Sequence, residues 1–425
     1  MFTSIALSST IAGIVYTIVN SNKSKLDDKK KISRLFKIAN LCVKENDDLK
    51  YPIYQKTTTH DSHNSYIYKL PLGIPSKIIQ KFEEVLSESL SKPVLVEYNN
   101  YLLEIKVFFQ DIPKKFMWST DLIKPNTWEV CLGKSLSELV YHDFEITPHM
   151  VAGGMTRFGK TVFLKNVITD LSLQKEDHVD FYILDLKGGL EYNKFKTLKQ
   201  VKSVAENPEQ CLMILAYIRE QIEKRMVSMK EDDYTDIRES KILYRTFIIV
   251  DEGAQLAPDR SMSKAQKDML GACQRLLEYI AAVSGGLGFR LIFCTQYPTA
   301  DTLPRQIKQN ADAKIGFRLP TQVASQVVID EGGLETLPRL PGRAIFKTDI
   351  CTELQVPFIT NKKMWEVLSP YEKPKGKQVE RNHVQPSSTK ICNKKTAPSN
   401  AQPRRNKKRT KNTESNDGFE FTVNH

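Results

Sequence analysis

Close cysteine pairs are absent from this sequence. The seven cysteines, Cys42, Cys131, Cys211, Cys273, Cys294, Cys351 and Cys392, are scattered, odd in number and never spaced C-x-x-C. That favours reduced, packed thiols in a cytosolic body over a disulfide framework or a cysteine zinc site. His60 and His63 form the only His-x-x-His spacing, with Asp61 between them and no fourth ligand, so they read as a solvated loop. Acid is nearly missing from residues 373–411, where thirteen Lys or Arg face Glu380 alone. The formal net charge of +12 is therefore concentrated in one tail. Large apolar residues are also scarce after Tyr371, so residues 373–425 cannot bury enough surface to fold alone and read as a disordered basic tail.

Charge is missing altogether from Phe2 to Val19, a run rich in Ile, Leu, Val and Ala. At about 1.5 Å per residue it can just cross a hydrocarbon core of about 30 Å. Lys23, Lys25, Lys29, Lys30, Lys31 and Arg34 follow at once, and no basic side chain precedes the run. The positive-inside rule then puts the N-terminus outside and everything after Asn20 in the cytoplasm. A cleaved signal would carry its positive charge ahead of the run. Residues 1–20 are accordingly expected to be one transmembrane helix in the cell membrane, the alternative being a peripheral or buried helix.

What is present suits a large soluble body: 425 residues, 40% of them hydrophobic, are room for two or three domains. Residues 21–64 read as a polar helical linker. Residues 65–127 mix strand-like pieces (66–72, 94–98, 102–109) with a helical one, 76–90, and predict a small α+β domain. From residue 128 to 360, β-rich runs at 149–152, 181–184, 246–250, 290–294 and 314–319 alternate with helical patterns, predicting an α/β fold on a mostly parallel sheet. Ile214, Ile218, Ile222 and Met226 recur every four residues, as a core-facing helix stripe requires.

The strongest chemical signal is Gly154-Met155-Thr156-Arg157-Phe158-Gly159-Lys160-Thr161, a G-x-x-x-x-G-K-[ST] loop between an apolar strand and the helical run 162–173. Backbone amides and a helix N-terminus wrap phosphates in such a loop, Lys160 reaches the β- and γ-phosphates of ATP, and Thr161 ligates Mg2+. By contrast Gly133-Lys134-Ser135 lacks the first glycine of the motif and reads as a turn. Phe247-Ile248-Ile249-Val250 reads as a buried strand ending in two carboxylates, of which Asp251 would hold the magnesium shell and Glu252 would polarise the attacking water. A further strand ends in Gln296, placed to sense the γ-phosphate, its plain alternative being a turn residue. Asp185 and Lys187 close another strand, where an ordinary surface ion pair would contribute little.

The order Val130-Cys131-Leu132-Gly133-Lys134, Pro148-His149, the phosphate loop, Leu184-Asp185-Leu186-Lys187, Val250-Asp251-Glu252, Thr295-Gln296-Tyr297-Pro298, Ile315-Gly316-Phe317-Arg318 and Ile329-Asp330-Glu331-Gly332-Gly333 resembles the FtsK/SpoIIIE family of DNA translocases. The resemblance runs from about residue 128 to 348. It implies a RecA-like P-loop NTPase motor that self-associates into a ring, commonly a hexamer, around DNA, with ATP between subunits. An arginine from a neighbour would then stabilise the transition state, with Arg318 and Arg343 as candidates. The loop Tyr297–Arg305 would lie near the pore. Arg157 and Phe158 depart from the small residues many members carry in the phosphate loop. One span, a compact pre-motor region and a basic tail look most like FtsK-type coupling proteins of Gram-positive conjugative elements, which serve a relaxase and a type IV secretion channel. The tail could grip nucleic-acid phosphates or anionic lipid. Chromosome or plasmid segregation, protein secretion and a mere docking platform are the competing readings.

Overall fold

A computed structural model describes residues 27–45 and 47–374. The apolar run at Phe2–Val19 and the basic tail lie outside this range, apart from the tail's first two residues. Among the described residues no helix is long and apolar enough to cross a membrane.

The chain opens with α1 (Asp28–Ile38), a hairpin of β1 (Val43–Glu45) and β2 (Asp48–Lys50), then β3 (Ile53–Thr59) and β4 (His63–Lys69). After these come α2 (Ser76–Leu90), β5 (Val94–Asn99) and β6 (Leu102–Phe108). The last four strands form an antiparallel sheet in the order β3-β4-β6-β5. In β6, Leu103, Ile105 and Val107 alternate into the core while Leu102, Glu104 and Lys106 face away, the period-2 pattern of a one-sided sheet. Ile32, Leu35 and Phe36 of α1 and Phe82 and Leu86 of α2 complete that core. Among the described residues the small domain therefore begins near Asp28, and the helical reading of the segment before residue 65 holds there only for α1. Its β3 escaped notice because Tyr54-Gln55-Lys56-Thr57-Thr58-Thr59 is an edge strand with hardly any buried face, so no hydrophobic alternation marks it.

The second region begins with β7 (Phe116–Met117), β8 (Glu129–Ser135), β9 (Leu139–Asp143), β10 (Met150–Gly153), α3 (Lys160–Gln174), β11 (Val179–Leu184) and β12 (Val201–Ala205). It continues through α4 (Pro208–Glu231), β13 (Arg245–Val250), α5 (Lys264–Val283), β14 (Phe289–Thr295), α6 (Arg305–Asn310), β15 (Ala313–Phe317) and α7 (Gln322–Ile329). It closes with β16 (Arg343–Lys347), β17 (Cys351–Gln355), β18 (Pro357–Phe358) and α8 (Asn361–Leu368). Ten strands make one sheet, in the order β12-β11-β13-β14-β10-β15-β16-β17-β8-β9. The stretch from β12 to β15 is parallel and the rest antiparallel. Both faces are covered, one by α3 and α8 and the other by α4, α5, α6 and α7, so β13 and β14 are buried at every residue. Gly133-Lys134-Ser135 is not a turn but the end of β8, paired to Leu354 and Gln355 of β17. The buried stripe of α4 runs through Cys211, Leu215, Ile218 and Ile222, with Ile214 and Met226 on its flanks. Four cysteines, at 131, 211, 273 and 294, are buried, and all six among the described residues are free thiols.

The buried face of α3 carries one carboxylate. Asp170 accepts a hydrogen bond from the indole Nε1 of Trp118 at 2.7 Å. Burial pushes its carboxyl up to about 7, against the smaller opposing effect of that bond. A folded-state value above the unfolded one, about 4, means the ionised form is a cost to the fold, so stability should fall as pH rises from about 4 to about 7. Asp170→Asn keeps an oxygen for Trp118 and removes the charge. It is expected to raise stability by about 2–4 kcal/mol at pH 8 and far less at pH 5, read by calorimetric unfolding at both pH values.

Candidate functional site

Every residue singled out for nucleotide chemistry, Arg343 excepted, stands at or just beyond the carboxyl end of a parallel strand. The phosphate loop follows β10, Asp185 and Lys187 follow β11, Asp251 and Glu252 follow β13, Gln296 follows β14 and Arg318 follows β15. The strand order places β14 between β10 and β13, so Gln296 emerges between Lys160 and Glu252. Binding sites of open α/β sheets lie outside these strand ends, where the connections diverge to opposite faces.

The loop itself is shaped by close backbone approach. A Cβ on Gly154 would meet Phe317 Cβ at 2.6 Å, and one on Gly159 would meet the Gly342 nitrogen at 2.9 Å, at a φ of +115° that side-chain-bearing residues rarely adopt. Gly342 N–H donates to the Phe158 carbonyl at 2.8 Å, tying the loop to the chain before β16. Arg157 is held at φ +70°, where a non-glycine residue is unusual, with its side chain exposed. Because α3 starts at Lys160, the amides of its first turn have no helical acceptor and point at the cavity mouth.

Lys160 is buried and donates from Nζ to the Asp251 carbonyl at 2.8 Å, with Glu252 Oε2 at 3.4 Å. Lys187 does not pair with Asp185. Its Nζ lies 3.0 Å from Asp251 Oδ2 and 3.3 Å from Glu252 Oε2. Burial draws the Lys187 ammonium down, but Asp251 and then Glu252 outweigh it and hold the group above the ordinary lysine value. Asp185 instead accepts from the amides of Glu191 and Tyr192, both at 3.2 Å, and burial, with the charge of Asp251 adding, raises its carboxyl. The other oxygen of Glu252 accepts from Gln296 N–H at 2.9 Å and from Thr295 Oγ1 at 3.2 Å. The Gln296 carboxamide oxygen takes the Thr156 hydroxyl at 3.0 Å. Phosphate loop, carboxylate pair and Gln296 thus form one hydrogen-bonded unit.

This set fits magnesium-bound ATP. Two buried carboxylates face two ammoniums, a hydroxyl at Thr161 follows Lys160 on the helix, and a cavity of about 720 Å³ opens beside the loop. Oxygen donors at Asp251 and Thr161 match the hard-ligand preference of Mg2+, and the lysines and helix amides match phosphate oxygens.

A family model described as FtsK/SpoIIIE matches residues 123–329. These residues form an FtsK/SpoIIIE family domain. It is a P-loop ATPase domain, within an α/β motor fold. DNA translocase FtsK of Chlorobaculum tepidum is 26% identical over 226 residues, 49% of this chain and 27% of the relative. The Listeria monocytogenes protein of the same name is 28% identical over 227 residues, 49% and 29%. This chain therefore matches less than a third of the length of these curated relatives. Among solved structures, the pCW3 conjugation coupling protein TcpA, a monomer form with ATPγS, has a TM-score of 0.59 at 22% identity. That similarity covers 81% of this chain and 99% of TcpA. The cytoplasmic domain of the type VII secretion ATPase EccC from Thermomonospora curvata has a TM-score of 0.51 at 18% identity, covering 62% and 33%.

Two arginines of the FtsK/SpoIIIE resemblance sit differently from what a finger toward a neighbour requires. Arg343 is buried and fully used: its guanidinium bonds Glu353 at 2.8 Å, Gln355 at 3.2 Å and the carbonyls of Ile112 and Pro113 at 3.1 and 3.3 Å. It fastens β16–β17 to the segment that follows the small domain. Arg318 is half-buried beside its own phosphate loop, its carbonyl accepting from Met155 N–H at 3.1 Å and its guanidinium donating to the Leu337 carbonyl. Sequence reasoning undervalued Lys187, whose signal was a lysine two residues past a strand end. It missed the cavity wall at Pro341, Gly342 and Gln355–Phe358, which carries no local signal. His60 and His63 stack at 4.6 Å in the β3–β4 turn, and among the described residues no group of three metal-ligating side chains is found.

Proposed function

We propose that this chain hydrolyses ATP to move DNA, as the membrane-anchored coupling protein of a conjugative element. What supports the coupling role is the extent of the fold likeness to TcpA, which takes in 81% of this chain and 99% of that one. The membrane span at residues 1–20, a ring of subunits of hexamer type, a relaxase partner and a type IV channel belong to the same proposal. So does the loop Tyr297–Arg305 as the DNA-facing segment, with Tyr297 exposed on it.

Magnesium held by Thr161 and Asp251 would neutralise charge on the β- and γ-phosphates. Lys160 and the first-turn amides of α3 grip the phosphate oxygens. Glu252, oriented by Gln296 N–H and Thr295 on one oxygen, takes the proton of the attacking water. Gln296, bonded to Thr156 of the phosphate loop, reports whether the γ-phosphate is present.

Turnover by the full-length protein, with and without linear DNA and beside Lys160→Ala, tests the reading. We expect stimulation by DNA that vanishes in the variant and weakens steeply with added salt, because phosphate contacts release counterions. Turnover indifferent to DNA would favour the protein-secretion reading, and folded protein with no turnover would leave only a docking platform.

A further inference from the structure

The cavity beside the phosphate loop extends well past the place where phosphates would sit. At about 720 Å³ it is in the range of sites that enclose a whole small molecule. Its far wall is built by Phe358 of β18 and by Lys114 and Lys115 of the segment joining the small domain to the motor. Phe358 is 38% exposed, a large apolar ring on the wall of this cavity. Its backbone is held firmly, since the Pro357 carbonyl accepts from Asn166 Nδ2 on α3 at 2.6 Å and the Phe358 carbonyl accepts from Trp118 N–H at 3.2 Å. The Lys115 ammonium lies 5.1 Å from the ring centroid.

We propose that this wall is the base subsite: the purine of the nucleotide stacks on Phe358, with Lys114 and Lys115 beside the ribose and α-phosphate. The proposal rests on the phosphate-loop reading and extends it. A flat π-system is what an exposed ring on an immobile strand end recognises, and cations at its edge suit the anionic side of the ligand. The subsite has a mechanical consequence. Lys114 and Lys115 directly follow Ile112 and Pro113, whose carbonyls are bound by Arg343, and β6 of the small domain ends only a few residues earlier. Nucleotide held there touches the joint between the two domains.

The test measures calorimetric binding of ATP and of inorganic tripolyphosphate to the full-length protein. Phe358→Ala is expected to weaken ATP about 5- to 100-fold and leave tripolyphosphate unchanged. Phe358→Leu, which keeps apolar bulk without the ring, should resemble Phe358→Ala, and Phe358→Tyr should bind ATP as the parent does. Phe358→Ala binding ATP at parental affinity, or losing ATP and tripolyphosphate in equal proportion, overturns the subsite while the phosphate loop stands. Lys160→Ala should weaken both ligands, and if it weakens neither, the phosphate-loop reading falls and takes the subsite with it.

Discussion

Glu252→Gln is expected to bind nucleotide and lose turnover by about 10²- to 10⁴-fold. The carboxylate is 3% exposed and held on both oxygens, by Gln296 N–H and Thr295 on one and by Lys160 and Lys187 on the other. Glutamine has the same shape and keeps an oxygen for the Gln296 amide, so the strand end should hold its place. What it loses is the lone pair basic enough to take a proton from water. Steady-state phosphate release together with ATPγS affinity reads the two effects apart. A variant that turns over within a few-fold of the parent would show that Glu252 serves only to neutralise the lysines. Lys187 makes this outcome informative, because removal of one negative charge frees its ammonium for Asp251 alone.

The second large effect is on stability, at the amino ends of the parallel strands, opposite the phosphate loop. Glu145, between β9 and β10, takes Arg245 on both oxygens at 2.7 and 2.9 Å and Arg290 at 2.9 Å. Burial pushes its carboxyl up, but hydrogen bonds and charge from Arg245, then Arg290, bring it below the ordinary glutamate value. Burial pulls the Arg290 guanidinium down to about 10, Glu145 opposing. Glu145→Gln would take from two buried guanidiniums the carboxylate they share. Removing one partner of a buried ion cluster costs about 3–5 kcal/mol, so we expect a fall in melting temperature on the order of 10 °C. With its folded value depressed, Glu145 stabilises the protein fully above the unfolded glutamate value. That contribution is lost as pH falls through the folded value, so the gap between parent and variant should close on the acid side. Thermal unfolding at pH 7.5 and pH 3.5 measures both. An unchanged melting temperature at neutral pH would show that the arginines find other partners, such as the Gly285 carbonyl already 2.6 Å from Arg290.

How much of this was legible beforehand follows from the range of the interactions. The phosphate loop could be read directly because its chemistry is carried by consecutive backbone amides and the residue beside them, all within eight positions. Asp251 and Glu252 were legible as carboxylates ending an unbroken apolar run, which a strand buried on both faces must have. Arg343 misled because an arginine near a nucleotide motif has no mark that distinguishes a free guanidinium from one bound to Glu353 and Gln355. The strand β3 was hidden for the reverse reason, since its threonines and lysine show no buried side and its pairing with β4 is made by the backbone.

Local sequence, then, determined the P-loop, the alternation of strands and helices, and which residue types close each strand, because spacing along the chain sets these. Tertiary structure alone decided that β14 lies between β10 and β13, which brings Gln296 onto Glu252, and that Lys187 turns from Asp185 to Asp251. It also decided that Phe358 and Lys115, more than two hundred residues apart, face one cavity. Strand order and side-chain pairing arise from contacts between segments distant in the chain, and no pattern within either segment encodes which partner it meets.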